Sequence, residues 1–92
     1  MAHQLAKNTN LRKLYLQHDN IEEIPDNIGE LTSIELLNLE HNKIEDIPKT
    51  IGKLKNLKRL NLMDNPISDK KLRKKAAKWL PKTNIIFFHR ET

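Results

Sequence analysis

The chain has no cysteine, only two glycines and four prolines, and one tryptophan, one tyrosine and two phenylalanines. Without cysteine there is no disulfide framework, no thiolate metal site and no cysteine nucleophile. The same absence fits a reducing compartment, and the expected location is the cytoplasm. No run approaches the roughly 18 apolar residues of a membrane-spanning helix. The opening M-A-H-Q-L-A-K carries no apolar signal-peptide region. A glycine-rich phosphate loop is also missing, and Ser33 and Ser68 have no base spaced to activate them. The expectation is therefore a protein that is not an enzyme and needs no cofactor.

What is present is a small domain of 92 residues with 37% apolar and 32% charged residues and a formal charge of +5. The excess charge is local. Residues 1–68 carry nine Lys or Arg against ten Asp or Glu, whereas residues 69–82 carry seven against one.

A repeat decides the architecture. Leu11, Leu14, Leu16, Ile21, Ile24, Pro25, Ile28, Gly29 and Leu31 return twenty-three residues later as Ile34, Leu37, Leu39, Ile44, Ile47, Pro48, Ile51, Gly52 and Leu54. They return again as Leu57, Leu60, Leu62 and Ile67 before the pattern stops. Asp19, Asn42 and Asn65 mark the same place in each unit, and Asp19 is the one departure in type. Leu14 and Leu16 stand two apart and share one face of a short strand. Pro25 and Pro48 lack a backbone donor, which suits an irregular or 3₁₀ return path. Gly29 and Gly52 are expected to permit a tight turn toward the next strand. Asn42 and Asn65 can satisfy backbone groups of neighbouring coils, a role in which the Asp19 carboxylate cannot donate. Asn20 beside it, or a terminal place in the array, are two ways around that defect.

The segments L-R-K-L-Y-L-Q-H-D-N-I, I-E-L-L-N-L-E-H-N-K-I and L-K-R-L-N-L-M-D-N-P-I resemble the leucine-rich repeat. The trailing I-P-x-x-I-G-x-L is similar to the 23-residue class of Ras-suppressor and Scribble-type proteins and of many bacterial repeat proteins. The resemblance implies an α/β fold, a right-handed leucine-rich repeat solenoid with a short parallel sheet on its concave face and an irregular or 3₁₀ convex face. Residues 1–10 read as a partial repeat, 11–33 and 34–56 as full repeats, 57–67 as a partial one, and 68–92 as a C-terminal cap. In the cap, Ser68 or Asp69 starts a helix that Pro81 ends, with Leu72, Ala76, Trp79 and Leu80 on one face. A last strand follows in T-N-I-I-F-F, alternating Ile85 and Phe87 with Ile86 and Phe88. Ala2, Leu5 and Ala6 carry the register toward the N-terminus. No polar cap precedes them, so the expectation is the C-terminal fragment of a larger repeat scaffold, or Leu5 with its short lead-in as a minimal cap, or self-association through that end or through the final strand. Residues 34–53, flanked by repeats on both sides, should be the most protected from hydrogen exchange.

The resemblance also implies non-catalytic protein recognition on the concave face, by a partner the residues do not identify. Outward strand positions form columns there: Lys13, Leu36 and Arg59; Tyr15, Asn38 and Asn61; Gln17, Glu40 and Met63. A further column, His18, His41 and Asp64, has metal-ligand residue types. Solvated surface histidines are the favoured reading, and no metal is expected. A second candidate site is the basic run Lys70, Lys71, Arg73, Lys74, Lys75, Lys78 and Lys82, which could meet nucleic acid or an anionic membrane. Its favoured reading is a solvated face over an apolar one that covers the last coil, with Glu22, Glu23, Glu45 and Asp46 placed to offset its charge.

Overall fold

The computed structural model describes residues 10–87. Ala2, Leu5, Ala6 and Phe88, which carry expectations above, lie outside them. Strands β1 (Lys13–Tyr15), β2 (Leu36–Asn38) and β3 (Arg59–Asn61) form at the L-x-L core of each unit. With β4 (Asn84–Ile86) they make a four-stranded parallel sheet in chain order. Parallel neighbours need a return path. The first two returns run through 3₁₀ helices, Asp26–Glu30 and Lys49–Lys53, and the third through α1, Asp69–Trp79. The result is the expected α/β solenoid, with the sheet on one side and 3₁₀ turns on the other.

Each return is built from its sequence. Pro25 and Pro48 sit in extended conformation ahead of the 3₁₀ helices. They have no N–H to leave unpaired, and their carbonyls accept from Ile28 N at 3.0 Å and Ile51 N at 3.1 Å. Ser68 caps α1 by accepting from Lys71 N at 3.3 Å, and the helix ends before Pro81. Leu72 and Leu80 are buried and Trp79 is half-buried, so one face of α1 covers the last coil.

The core follows the repeat. Ile34, Leu37, Ile44 and Ile51 in the middle unit are fully buried, and so is Leu60 in the next. In the first unit the counterparts Leu11, Leu14 and Ile21 are only half-buried, while Ile28, the counterpart of Ile51, is buried. The strand side of a coil is covered best where a coil stands on each side of it.

Three features differ from the sequence expectation. No glycine has a positive φ, so Gly29 and Gly52 do not serve as flexible turns. They let stacked coils approach. A Cβ on Gly29 would lie 2.8 Å from the Thr50 carbonyl oxygen, and one on Gly52 would lie 3.3 Å from Trp79 Cβ. Second, His18, His41 and Asp64 are not strand positions. They occupy the left-handed region at φ 61°, 59° and 60°, where the chain turns out of the sheet. Asn20 is left-handed too, at 58°, whereas its counterparts Lys43 and Pro66 are not. Third, Leu14 pairs with Leu37 and Leu37 with Leu60, twenty-three residues apart, but Leu60 pairs with Ile85, twenty-five on. The α-helical return takes two residues more than a 3₁₀ return.

A methyl group at Gly29 meets backbone, which cannot swing aside. Gly29→Ala is therefore expected to lower stability by about 1–3 kcal/mol. Gly52→Ala, with Trp79 Cβ at 3.3 Å and the Trp79 carbonyl oxygen at 3.4 Å, has more room and should cost less. Urea unfolding midpoints of the two variants check the order.

Candidate functional site

The sheet register fixes the concave face. Lys13, Leu36, Arg59 and Asn84 stand side by side, as do Tyr15, Asn38, Asn61 and Ile86. The first two expected columns are thus formed, each lengthened by a β4 residue that the sequence reading left out. The signal for them was the T-N-I-I-F-F alternation, which needed the twenty-five-residue step to be placed. Gln17, Glu40 and Met63 follow the strand ends, where His18 N donates to the Glu40 carbonyl at 3.1 Å and His41 N to that of Met63 at 2.8 Å.

These positions are not equally available. Tyr15 is 54% exposed, while Leu36 and Met63, although outward-facing, are half-buried. Asn38 Oδ1 accepts from Glu40 N and Asn61 Oδ1 from Met63 N, both at 3.0 Å. Each amide therefore ties down its own strand end as well as facing outward. Asn61 Nδ2 also reaches Glu40 Oε1 at 3.4 Å.

The charges on this face are segregated along the strands. At the strand starts lie Arg12, Lys13, Lys58 and Arg59 with one acid, Glu35, whose carboxylate is 4.0 Å from Lys58 Nζ. Lys13, Glu35, Leu36, Lys58, Arg59 and Asn84 line a shallow depression of about 260 Å³ there. Beyond the strand ends lie Glu40 and Asp64.

His18 and His41 stack with ring centroids 4.5 Å apart, and His41 Nδ1 lies 3.5 Å from Asp64 Oδ2. Their backbone explains their types, since His and Asp are among the non-glycine residues best tolerated in the left-handed region. Among the described residues, no group of three or more His, Cys, Asp or Glu is placed to hold a metal.

The basic run on α1 divides. Lys75 Nζ meets both Asp46 carboxylate oxygens at 2.7 Å, and Lys71 Nζ lies 4.0 Å from the same group. Arg73 pairs with Asp69 at 3.5 Å and sits 5.9 Å over the Phe87 ring. Lys75 also sits 5.7 Å over Trp79. Lys70, Lys74 and Lys78, opposite the apolar face, are exposed with no ion-pair partner among the described residues. Of the four acids expected to offset this charge, Asp46 makes the pairs. Burial pulls the Asp46 carboxyl upward, but the Lys75 hydrogen bond, the Ile47 N–H and the charges of Lys75 and Lys71 outweigh it and hold its pKa below the ordinary 3.8. No helix among the described residues is long and apolar enough to cross a membrane.

Comparison with known proteins adds to this geometry. The leucine-rich repeat family model matches residues 9–67. A solved leucine-rich repeat protein of Leptospira interrogans is 38% identical over 91% of this chain, with a TM-score of 0.85. The chain covers 21% of that protein's length. A search of curated proteins finds no match.

Because the folded-state pKa of Asp46 is lowered, its pairs contribute stability above the unfolded pKa and lose it as pH falls through the folded value. Its side chain is 45% exposed, which keeps the effect at the surface-pair level. Asp46→Asn should cost about 0.2–1 kcal/mol at neutral pH, with the difference from the native chain vanishing in acid below 3.8. Urea titrations across that pH range give the comparison.

Proposed function

The chain belongs to the leucine-rich repeat family, and from that membership we propose that it is a non-catalytic protein-recognition module whose partner docks on the concave sheet face. Leucine-rich repeat domains are in general interaction modules, which is the broader basis for the reading. One observation carries it further. In support of it, Tyr15, Leu36 and Ile86 stand in register columns among polar neighbours, with Met63 just past the end of β3, all of them exposed or half-buried. Side chains held by a hydrogen-bonded sheet lose little freedom on binding, so more of their contact energy appears as affinity. A mixed surface of a few apolar anchors among polar groups is the composition of a non-obligate interface.

Nucleic acid or anionic membrane binding by α1 has less support. Three of its cations, Lys71, Arg73 and Lys75, are drawn to Asp46 and Asp69, and Trp79, its one stacking residue, is half-buried against the core.

The test is affinity capture of a binding protein from cells of the source organism, followed by variants of the purified pair. Tyr15→Ala with Met63→Lys should weaken the complex by about tenfold or more while leaving the circular dichroism spectrum unchanged. Lys70→Glu with Lys74→Glu should leave it intact. Loss of binding in the second variant but not the first refutes the concave-face reading.

A further inference from the structure

Resting on the concave-face reading, we propose that the depression at the strand starts takes an acidic peptide segment, with carboxylates beside an apolar side chain, laid across the strands. The floor is Leu36, half-buried, with Lys13 on one side and Arg59 on the other in the same register row. Neighbouring strands stand about 4.8 Å apart, so the two cations bracket Leu36 at roughly 10 Å between backbones. Long flexible side chains can close that distance on a bound carboxylate.

The electrostatics have one sign. Arg12, Lys13 and Arg59 have no ion-pair partner among the described residues, and Lys58 shares Glu35 at 4.0 Å, the outer limit of an ion pair. Four cations against one carboxylate give this rim a positive potential. The opposite rim carries Glu40 and Asp64 instead, so a basic segment would be drawn there and repelled at the strand starts, where Glu35 is the one acid among the described residues. Asn84, the last member of the row, adds a neutral amide that can donate to a carboxylate or a peptide carbonyl.

The apolar floor matters to the choice of partner. Exposed ion pairs contribute little by themselves, and a purely charged ligand would be held loosely and lost with salt. An apolar side chain seated on Leu36 excludes water from the pairs around it, which makes each one stronger. The recognition element is therefore a cation–leucine–cation row across three strands, and the complementary ligand is acid–apolar–acid.

The test uses the full chain, isotope-labelled for amide NMR, titrated with capped Glu-Glu-Leu-Glu-Glu and capped Lys-Lys-Leu-Lys-Lys peptides at about 20 mM and about 150 mM salt. The acidic peptide is expected to move the amides of Lys13, Leu36, Arg59 and Asn84 saturably, and the basic one to bind at least about tenfold more weakly. Lys13→Glu with Arg59→Glu should weaken the acidic peptide by about tenfold or more. Lys70→Glu with Lys74→Glu should leave it unchanged. Preference for the basic peptide on the same amides overturns the acidic ligand class while leaving the concave-face reading intact. Shifts confined to α1, or none that saturate, overturn the proposal, and a single-stranded oligonucleotide that binds these amides more tightly than the acidic peptide does so too.

Discussion

The structure depends on two buried side-chain amides. Asn42 Oδ1 accepts from the backbone N–H of Asp19 and Ile21 in the preceding coil at 3.0 and 2.9 Å. Its Nδ2 donates back to the Leu16 carbonyl and to Leu39 in its own coil, both at 2.9 Å. Asn65 repeats the arrangement one coil later, accepting from Ile44 N at 3.0 Å and donating to Leu39 at 2.8 Å and Leu62 at 3.2 Å. Each strand must leave the sheet sharply, which strands backbone groups where water cannot reach. An unpaired buried polar group costs on the order of 1–3 kcal/mol, and an amide that donates and accepts at once answers several of them. The left-handed turns at His41 and Asp64 bring Asn42 and Asn65 inward to do so, whereas Asp19, after the same turn at His18, stays exposed.

The buried half of the molecule was legible in the sequence because burial imposes a period. Leucines two apart, an asparagine three beyond and a proline before each 3₁₀ turn recur with one spacing, and each lands where the spacing predicts. What the sequence hid has physical reasons. The glycines suggested flexible turns, but close approach and backbone freedom leave the same residue in the chain, and only coordinates separate them. The histidine column suggested solvated surface residues, but the left-handed backbone that accounts for His and Asp there left no mark in the sequence pattern. The final strand is offset because an α-helical return replaces a 3₁₀ one; the helix was legible between Ser68 and Pro81, but its pattern does not state the register of the strand that follows. The Asp46–Lys75 pair joins residues far apart in the chain, and lysines are too abundant on α1 for the sequence to choose among them.

The candidate site was legible in position more than in character. Lys13, Leu36 and Arg59 were placed in one row by the repeat alone. Their distinct setting came from neighbours outside the row. Lys58 and Glu35 flank it, Asn84 extends it, and α1 has turned Lys71 and Lys75 toward Asp46 at the edge of the second coil. Cations held in pairs on the cap and cations left unpaired on the concave rim look alike in a composition count. The solenoid makes them different by fixing what each one faces.

The account holds that Asn65, more than the apolar face alone, locks the third coil onto the second. Native-state hydrogen exchange on Asn65→Leu, which keeps the volume and apolar contact but removes every hydrogen bond, tests this directly. Protection is expected to fall together at Ile44, Leu39 and His41, whose N–H groups donate to Asn65 Oδ1 and to the Asn61 and Met63 carbonyls of the third coil, beyond the change in global stability, while the Leu72 amide, which bonds to the Ser68 carbonyl at 2.9 Å within the helix start, follows global unfolding alone. Protection at Ile44, Leu39 and His41 that tracks Leu72 in both proteins would contradict it.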